Sequence, residues 1–372
     1  MSGAYIIAAR RSPVMPQGGA FAPFYPHELA VPIISACLQD AGIAADQVEE
    51  LILSNALGGG GNPARLAALA AGLPEHVAGL SIDRQCAGGL DAILLARALV
   101  ESGAAEVVLA GGAESYSRRP LRFRTDPAGG PAIPYDAPPF SPWPARDPAM
   151  HQTAADLATR LGISRVAQDA FAVASHQKAR LAALAEIVPL QGHNCDGFTR
   201  ALTPVIAARA RSVAGTITAA NAAIAADGAA FCLVVSERIA RQSRKSLRIA
   251  AGATLGSAPD LPGLAPIAAM RKVLVGFDVD RIAQVEMMEA YAVQAIACLS
   301  APFCSRPRPR PPLPLPSRHG SKWRRQTARM KFALRERAGN PEYRRCGLST
   351  DNQIGWPSCG IARPRAPPAL PC

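Results

Sequence analysis

Along the first 300 residues, short apolar runs alternate with longer stretches whose apolar positions recur every three or four residues. Tyr5 to Ala9, Glu50 to Ser54, Gly79 to Ile82 and Glu106 to Gly111 read as strands. The last is a continuous apolar run of the kind buried on both faces of a parallel sheet. Helices are predicted between them, over Pro26 to Ala41, Asn62 to Ala71 and Gly89 to Glu101. Leu29, Val31, Ile33, Ile34 and Cys37 form the buried stripe of the first, and Gly103 ends the third. Strands alternating with helices predict a layered α/β domain.

From about Ser115 to Pro148 the rhythm gives way to Pro-, Arg- and Gly-rich sequence that forms neither regular helix nor central strand, so an excursion from the domain is expected. The alternation then resumes. Helices are predicted over Thr153 to Leu161, Arg165 to Leu184, Glu237 to Arg241, Pro266 to Val275 and Ala290 to Leu299. Strands are predicted at Ala229 to Ser236, Leu247 to Ala251 and Gln284 to Met287. The recurrence implies two related α/β halves with an insertion between them. After Ser300 the periodicity stops in a Pro- and Arg-rich stretch, Arg306 to Pro316, where disorder is expected, followed by a brief basic amphiphilic segment from Lys322 to Arg337.

Composition changes this picture in one respect. The net charge of +12 suggests a nucleic-acid partner until it is divided along the chain. From Ala301 onward there are 15 basic and 3 acidic residues, which leaves 25 of each in the first 300. The part that looks folded is neutral, and without interleaved aromatic residues the tail predicts no nucleic-acid partner. Aromatics make up only 5% of the chain and the apolar share is 49%, a balance that suits close packing of small side chains between layers. Nine cysteines show no C-x-x-C spacing, so no zinc site is expected. The N-terminus lacks a signal-peptide pattern and no apolar run reaches bilayer length, which predicts no membrane association and a reduced, cytoplasmic setting.

One cysteine stands out by position. Cys86 lies in Asp83-Arg84-Gln85-Cys86-Ala87-Gly88-Gly89, between a predicted strand and a predicted helix. The positive end of a helix favours a thiolate, and the glycines that follow let a substrate approach the backbone closely. A lone cysteine is more often a small buried apolar residue, so position alone leaves both readings open.

Neighbouring segments add to it. Arg11-Ser12-Pro13, Gly61-Asn62-Pro63-Ala64-Arg65, Ala110-Gly111-Gly112-Ala113-Glu114-Ser115, Gly215-Thr216-Ile217-Thr218-Ala219-Ala220-Asn221, Asp227-Gly228-Ala229-Ala230 and Glu289-Ala290-Tyr291-Ala292 follow in order. With the Cys86 segment they resemble the motifs of thiolases, whose versions read Arg-Thr-Pro, Asn-Pro-Ala-Arg, Ala-Gly-Gly-x-Glu-Ser, Gly-Thr-Val-Thr-Ala-Gly-Asn, Asp-Gly-Ala-Ala and Glu-Ala-Phe-Ala. The resemblance implies an acyl-CoA acetyltransferase in which Cys86 attacks a thioester and holds the acyl group for a second acceptor. Coenzyme A thioesters are then substrates, and no resident cofactor is expected. Met150, His151, Asn221, Ala223, Met288 and Glu289 are the substrate-binding residues it implies, with His151 beside Met150 in the coenzyme A tunnel.

The resemblance also implies a five-layered α/β/α/β/α sandwich of two similar halves, associating as a homodimer or homotetramer. Residues 1–236 are the expected N-terminal domain with a loop insertion at about 115–214, residues 237–300 a truncated second half, and residues 301–372 the basic tail. Loss of the later strands predicts an exposed sheet edge and apolar layer. The family's Gly-His-Pro and Cys-x-Gly-Gly-Gly segments are absent from this sequence; His319 and Cys359 are nearest by order but lack the glycines of an oxyanion hole. Met288 stands where the family has an asparagine that helps hold a catalytic water, and Ala223 where many members have a serine near the pantetheine. Impaired activity is expected, with a non-catalytic acyl-CoA-binding or partner-subunit role as the alternative. The joint rise of Arg, Pro and Cys after Leu299 is the composition expected of GC-rich coding sequence read out of frame.

Overall fold

The computed structural model describes residues 3–58, 60–182 and 184–301. The tail, with His319, Cys359 and the expected disorder, lies outside the described residues.

A mixed sheet organises the chain. Its strands are β1 (Ala4–Arg11), β2 (Met15–Pro16), β3 (Glu50–Ser54), β4 (Ala78–Ile82), β5 (Val107–Ser115) and, much later in sequence, β10 (Ala226–Ser236) and β11 (Leu247–Arg248). Their spatial order is β11, β1, β10, β5, β3, β4, with β2 also paired to β10. The β5–β3 and β3–β4 pairs are parallel, as βαβ crossovers require, whereas β10 runs antiparallel to both β1 and β5. Every residue of β5 and β10 is buried, which explains their unbroken apolar sequences.

Helices cover both faces. α1 (Pro26–Ala41) and α2 (Pro63–Ala70) pack on one, where Leu29, Ile33, Ile34 and Cys37 meet Leu51, Leu53, Leu109 and Leu233. α3 (Gly88–Ser102) lies on the other, its Ala92, Ile93 and Ala96 against Ile52, Val108 and Val234. The ends of these helices follow from local chemistry. Glu28 accepts the Tyr25 N–H at 2.7 Å before α1, and Gly42 closes it in the left-handed conformation. Asn62 caps α2 by accepting the Arg65 N–H at 3.0 Å, and its amide also holds the Gly79 carbonyl at 2.8 Å.

Between β5 and β10 the chain leaves the sheet. This excursion holds the small hairpins β6 (Arg122–Arg124) with β7 (Ile133–Tyr135) and β8 (Ser212–Ala214) with β9 (Ile217–Thr218). It also holds helices α4 (Met150–Leu161), α5 (Arg165–Leu181) and α6 (Pro204–Arg209). After β10 come α7 (Glu237–Ala240), α8 (Ala265–Val273) and α9 (Ala292–Ser300), and α9 packs on α4 and α5. Among the described residues a second large sheet is absent, and the strand expected at Gln284 to Met287 does not form. Met287 is buried against α9, but no neighbouring strand takes up the segment's backbone; the one bridge nearby joins Ala222 to Tyr291. Leu66 and Leu69 on α2, Leu80 on edge strand β4, and Leu90 and Leu95 on α3 are all exposed.

Arg11 bolts the excursion to the sheet. It is 1% exposed, its guanidinium grips Asp196 through two hydrogen bonds of 2.6 and 2.9 Å, and Glu186 lies 3.5 Å away. Asp196 in turn accepts the Val14 N–H at 2.9 Å. Removing one partner of a buried pair strands the other charge. Arg11→Ala should lower stability by about 3 kcal/mol in urea denaturation; a change under about 0.5 kcal/mol, the range of ordinary surface substitutions, would show the pair to be dispensable.

Candidate active site

The turn that carries Cys86 is built by close approach. The first residue of α3, Gly88, sits against β3 so tightly that a Cβ there would lie 1.8 Å from the Ser54 hydroxyl. Just before it, residues Gln85–Ala87 form a single tight turn, and Gln85 takes a left-handed φ of 48°. That conformation costs a non-glycine residue about 1–2 kcal/mol. Asp83 holds it in place, accepting the Gln85 N–H at 2.7 Å and its side-chain amide at 3.3 Å.

Cys86 is half-buried, and burial pushes its thiol up to about 12. Its own backbone N–H pulls the other way, while Glu114 and Asp83 add to the rise. Desolvation and two nearby carboxylates outweigh the helix end, whose effect falls off within one turn.

Glu114 lies at the inner end of β5, 1% exposed. Its carboxylate accepts hydrogen bonds from the Asn55 amide at 2.6 Å, the Ala56 N–H at 2.7 Å and the Leu57 N–H at 3.2 Å. These donors favour the charged form, but burial prevails and raises the group to about 7. Tyr291, at the start of α9, is 7% exposed and feels the charge of Cys86; burial pushes its phenol well above the ordinary value. Its hydroxyl lies 3.1 Å from Nδ1 of His151, the second residue of α4, and the two rings meet edge to face. Burial holds His151 below the usual imidazole range.

The remaining residues named from the sequence divide into two groups. Met150 packs beside Tyr291 in the small core between α4 and α9, and Met288 is half-buried on the segment entering α9. Asn221, Ala223 and Glu289 line a separate cavity of about 110 Å³ together with Phe171, Ser175 and His176. Cys86 is not on its wall. Glu289 accepts the Ser175 hydroxyl at 2.6 Å. The Asn221 side chain is committed to protein, accepting the Thr218 N–H at 2.8 Å and donating to Asp169 at 2.9 Å and to the Thr216 carbonyl at 3.1 Å. Ala223 meets α9's approach through its N–H, which donates to the Ala290 carbonyl at 2.9 Å.

Sequence reasoning missed Glu114 and Tyr291. Each lay inside a quoted segment, and the tyrosine in place of a phenylalanine was the available signal. Among the described residues no group of three or more His, Cys, Asp or Glu is placed to hold a metal ion, and no helix is long and apolar enough to cross a membrane.

A family model described as the N-terminal domain of thiolase matches residues 4–238. The chain belongs to the thiolase family. It is 40% identical over 318 residues to the putative acetyl-CoA C-acetyltransferase YhfS of Bacillus subtilis (strain 168), covering 81% of this chain and 83% of that protein. It is 32% identical over 327 residues to the putative acetyl-CoA C-acetyltransferase VraB of Staphylococcus aureus (strain MRSA252), covering 81% and 84%. The crystal structure of the Bacillus anthracis acetyl-CoA acetyltransferase superposes with a TM-score of 0.73 at 32% identity, over 80% of this chain and 82% of that one. The mixed α/β sheet with helices on both faces is thus the thiolase fold.

Glu114 gives the fold a pH dependence with a definite sign. Its pKa rises from 4.5 in the unfolded chain to about 7 on folding, so the folded state keeps a proton that the unfolded chain releases. The stability it contributes is complete below pH 4.5 and is lost as pH rises through 7. Between pH 5 and pH 8 the wild-type chain should lose about 2 kcal/mol more than Glu114→Gln, read from urea midpoints. Parallel pH curves for the two would remove Glu114 as the source.

Proposed function

We propose that this thiolase-family protein is an acyl-CoA acetyltransferase in which Cys86 takes the acyl group from one coenzyme A thioester and passes it to a second acceptor. The observation that carries this reading is the Cys86 turn itself. A thiol is set at the mouth of α3 beside a glycine-only contact with the sheet, in a chain whose relatives bear the name acetyl-CoA C-acetyltransferase. In the first half-reaction the Cys86 sulfur bonds to the thioester carbonyl carbon and the carbon–sulfur bond to coenzyme A breaks. Coenzyme A leaves as the thiol, and the thioester on Cys86 is the intermediate. No resident cofactor is needed.

Met150 and His151 then border the acyl end of the site. The cavity lined by Asn221, Ala223 and Glu289 takes the pantetheine side, where Asn221 positions backbone and does not itself bind substrate. Met288 offers no hydrogen to a catalytic water, and without the Gly-His-Pro and Cys-x-Gly-Gly-Gly segments the activity is impaired. The exposed leucines around β4 support a homodimer or homotetramer.

One observation favours the non-catalytic alternative, a thiolase-like protein that binds acyl-CoA without reacting. A thiol raised to about 12 carries little negative charge at neutral pH, so acylation needs help in losing the proton. Intact mass after incubation with acetyl-CoA decides between them: an acetyl adduct on the wild-type chain and none on Cys86→Ala is expected. Unmodified mass in both would support the binding protein.

A further inference from the structure

We propose that Tyr116, Arg119 and Arg122 form a carboxylate-binding pocket beside the Cys86 turn, framed by the β6–β7 hairpin. This small cavity, about 20 Å³, shares no wall residue with the one at Asn221; Gln85, Tyr116, Arg119, Arg122, Asp136 and Phe140 stand on its wall. Its volume exceeds the roughly 10–15 Å³ that one water-sized group needs, so it takes an end group and not a whole molecule. Gln85 places it, because the Cα of Cys86 follows that of Gln85 by about 3.8 Å.

Two observations carry the assignment. Tyr116 is 2% exposed, and both its hydroxyl and Nη1 of Arg119 are buried without a hydrogen-bond partner among the described residues. Buried polar atoms rarely stay unpaired, since each forfeits its hydration. The second observation is that both are donors. Burial raises the Tyr116 phenol, with Arg119 pulling the other way, so the hydroxyl keeps its hydrogen at neutral pH, and a guanidinium has no acceptor to offer. The acceptors nearby are already engaged: Asp136 takes Nη2 of Arg119 at 2.7 Å and the Ala56 carbonyl takes Nη2 of Arg122 at 3.3 Å. Arg119 is also held in place, its guanidinium carbon 4.3 Å from the centre of the Tyr116 ring.

The pocket therefore lacks an acceptor, and two guanidinium groups against one carboxylate on its wall favour a negative one. A carboxylate supplies two coplanar oxygens that match a flat guanidinium, in less space than a tetrahedral phosphate. Two sources carry that chemistry, a free small carboxylic acid and the far end of a dicarboxylic acyl group on Cys86. The pocket stands without the acetyltransferase reading; the second source rests on it.

The test uses the full chain at pH 7, with acetate binding followed by broadening of its methyl resonance in NMR. Wild type should broaden the signal saturably. Tyr116→Phe, which keeps the ring, and Arg119→Gln should each weaken binding at least tenfold, the loss expected for one hydrogen bond to a charged group. Arg124→Gln, which removes an exposed charge of the same hairpin away from the wall, should leave binding unchanged. No saturable broadening in wild type, wild-type affinity in Tyr116→Phe, or equal weakening in Arg124→Gln would overturn the site. The source is read from the rates at which hexanoyl-CoA and adipoyl-CoA, equal in length and different only at the far end, acylate Cys86 by intact mass. A preference for adipoyl-CoA that Tyr116→Phe removes assigns the acyl group; equal rates with acetate still bound assign the free acid. Acylation by neither ester fails the acetyltransferase reading alone, because acetate binding is measured without it.

Discussion

Everything at the Cys86 turn depends on the distance between α3 and β3. Gly88 is the contact point, and any larger residue would drive a carbon into the Ser54 hydroxyl and lift the helix off the sheet. With the helix seated, the turn before it must tighten, which forces Gln85 into a left-handed conformation that Asp83 secures. The same seating brings the half-buried Cys86 within electrostatic reach of Glu114 and Tyr291. Position and ionisation are therefore set by one packing constraint.

That constraint cuts two ways. The thiol resists ionisation here, since partial loss of water destabilises the thiolate and the two carboxylates nearby repel it. The same desolvation would strengthen any hydrogen bond or dipole aimed at the carbonyl of a bound thioester, because electrostatic interactions weaken far less there than in water. Tyr291 and His151 are joined to each other, the tyrosine buried and the histidine half-buried, and burial holds the imidazole below its usual range.

Much of the fold was legible because its elements are locally consistent. The stripe from Leu29 to Cys37, with Pro26 at its start and Gly42 after it, specified α1 to the residue. The continuous apolar run at Val107 specified β5 but not its length, since the glycines and Glu114 beyond Ala110 are buried by β10, a strand more than 100 residues away. The segment Gln284 to Met287 has strand character and no strand partner among the described residues, which sequence patterning does not register. Several recognisable segments proved to hold the scaffold together. Asn62 caps a helix, Arg11 bolts the excursion, and Asp227 accepts the Ser117 N–H and hydroxyl at 2.9 and 2.6 Å. The sign of the Cys86 shift was not legible, because it depends on Glu114 and on burial contributed by distant elements.

The central claim is that acyl groups pass through a covalent bond to Cys86. Exchange of isotopically labelled coenzyme A into unlabelled acetyl-CoA tests it most directly, since it requires only the first half-reaction and its reverse. The account predicts exchange with parallel-line, ping-pong kinetics that vanishes in Cys86→Ser. Saturable binding of acetyl-CoA without any label exchange would contradict it.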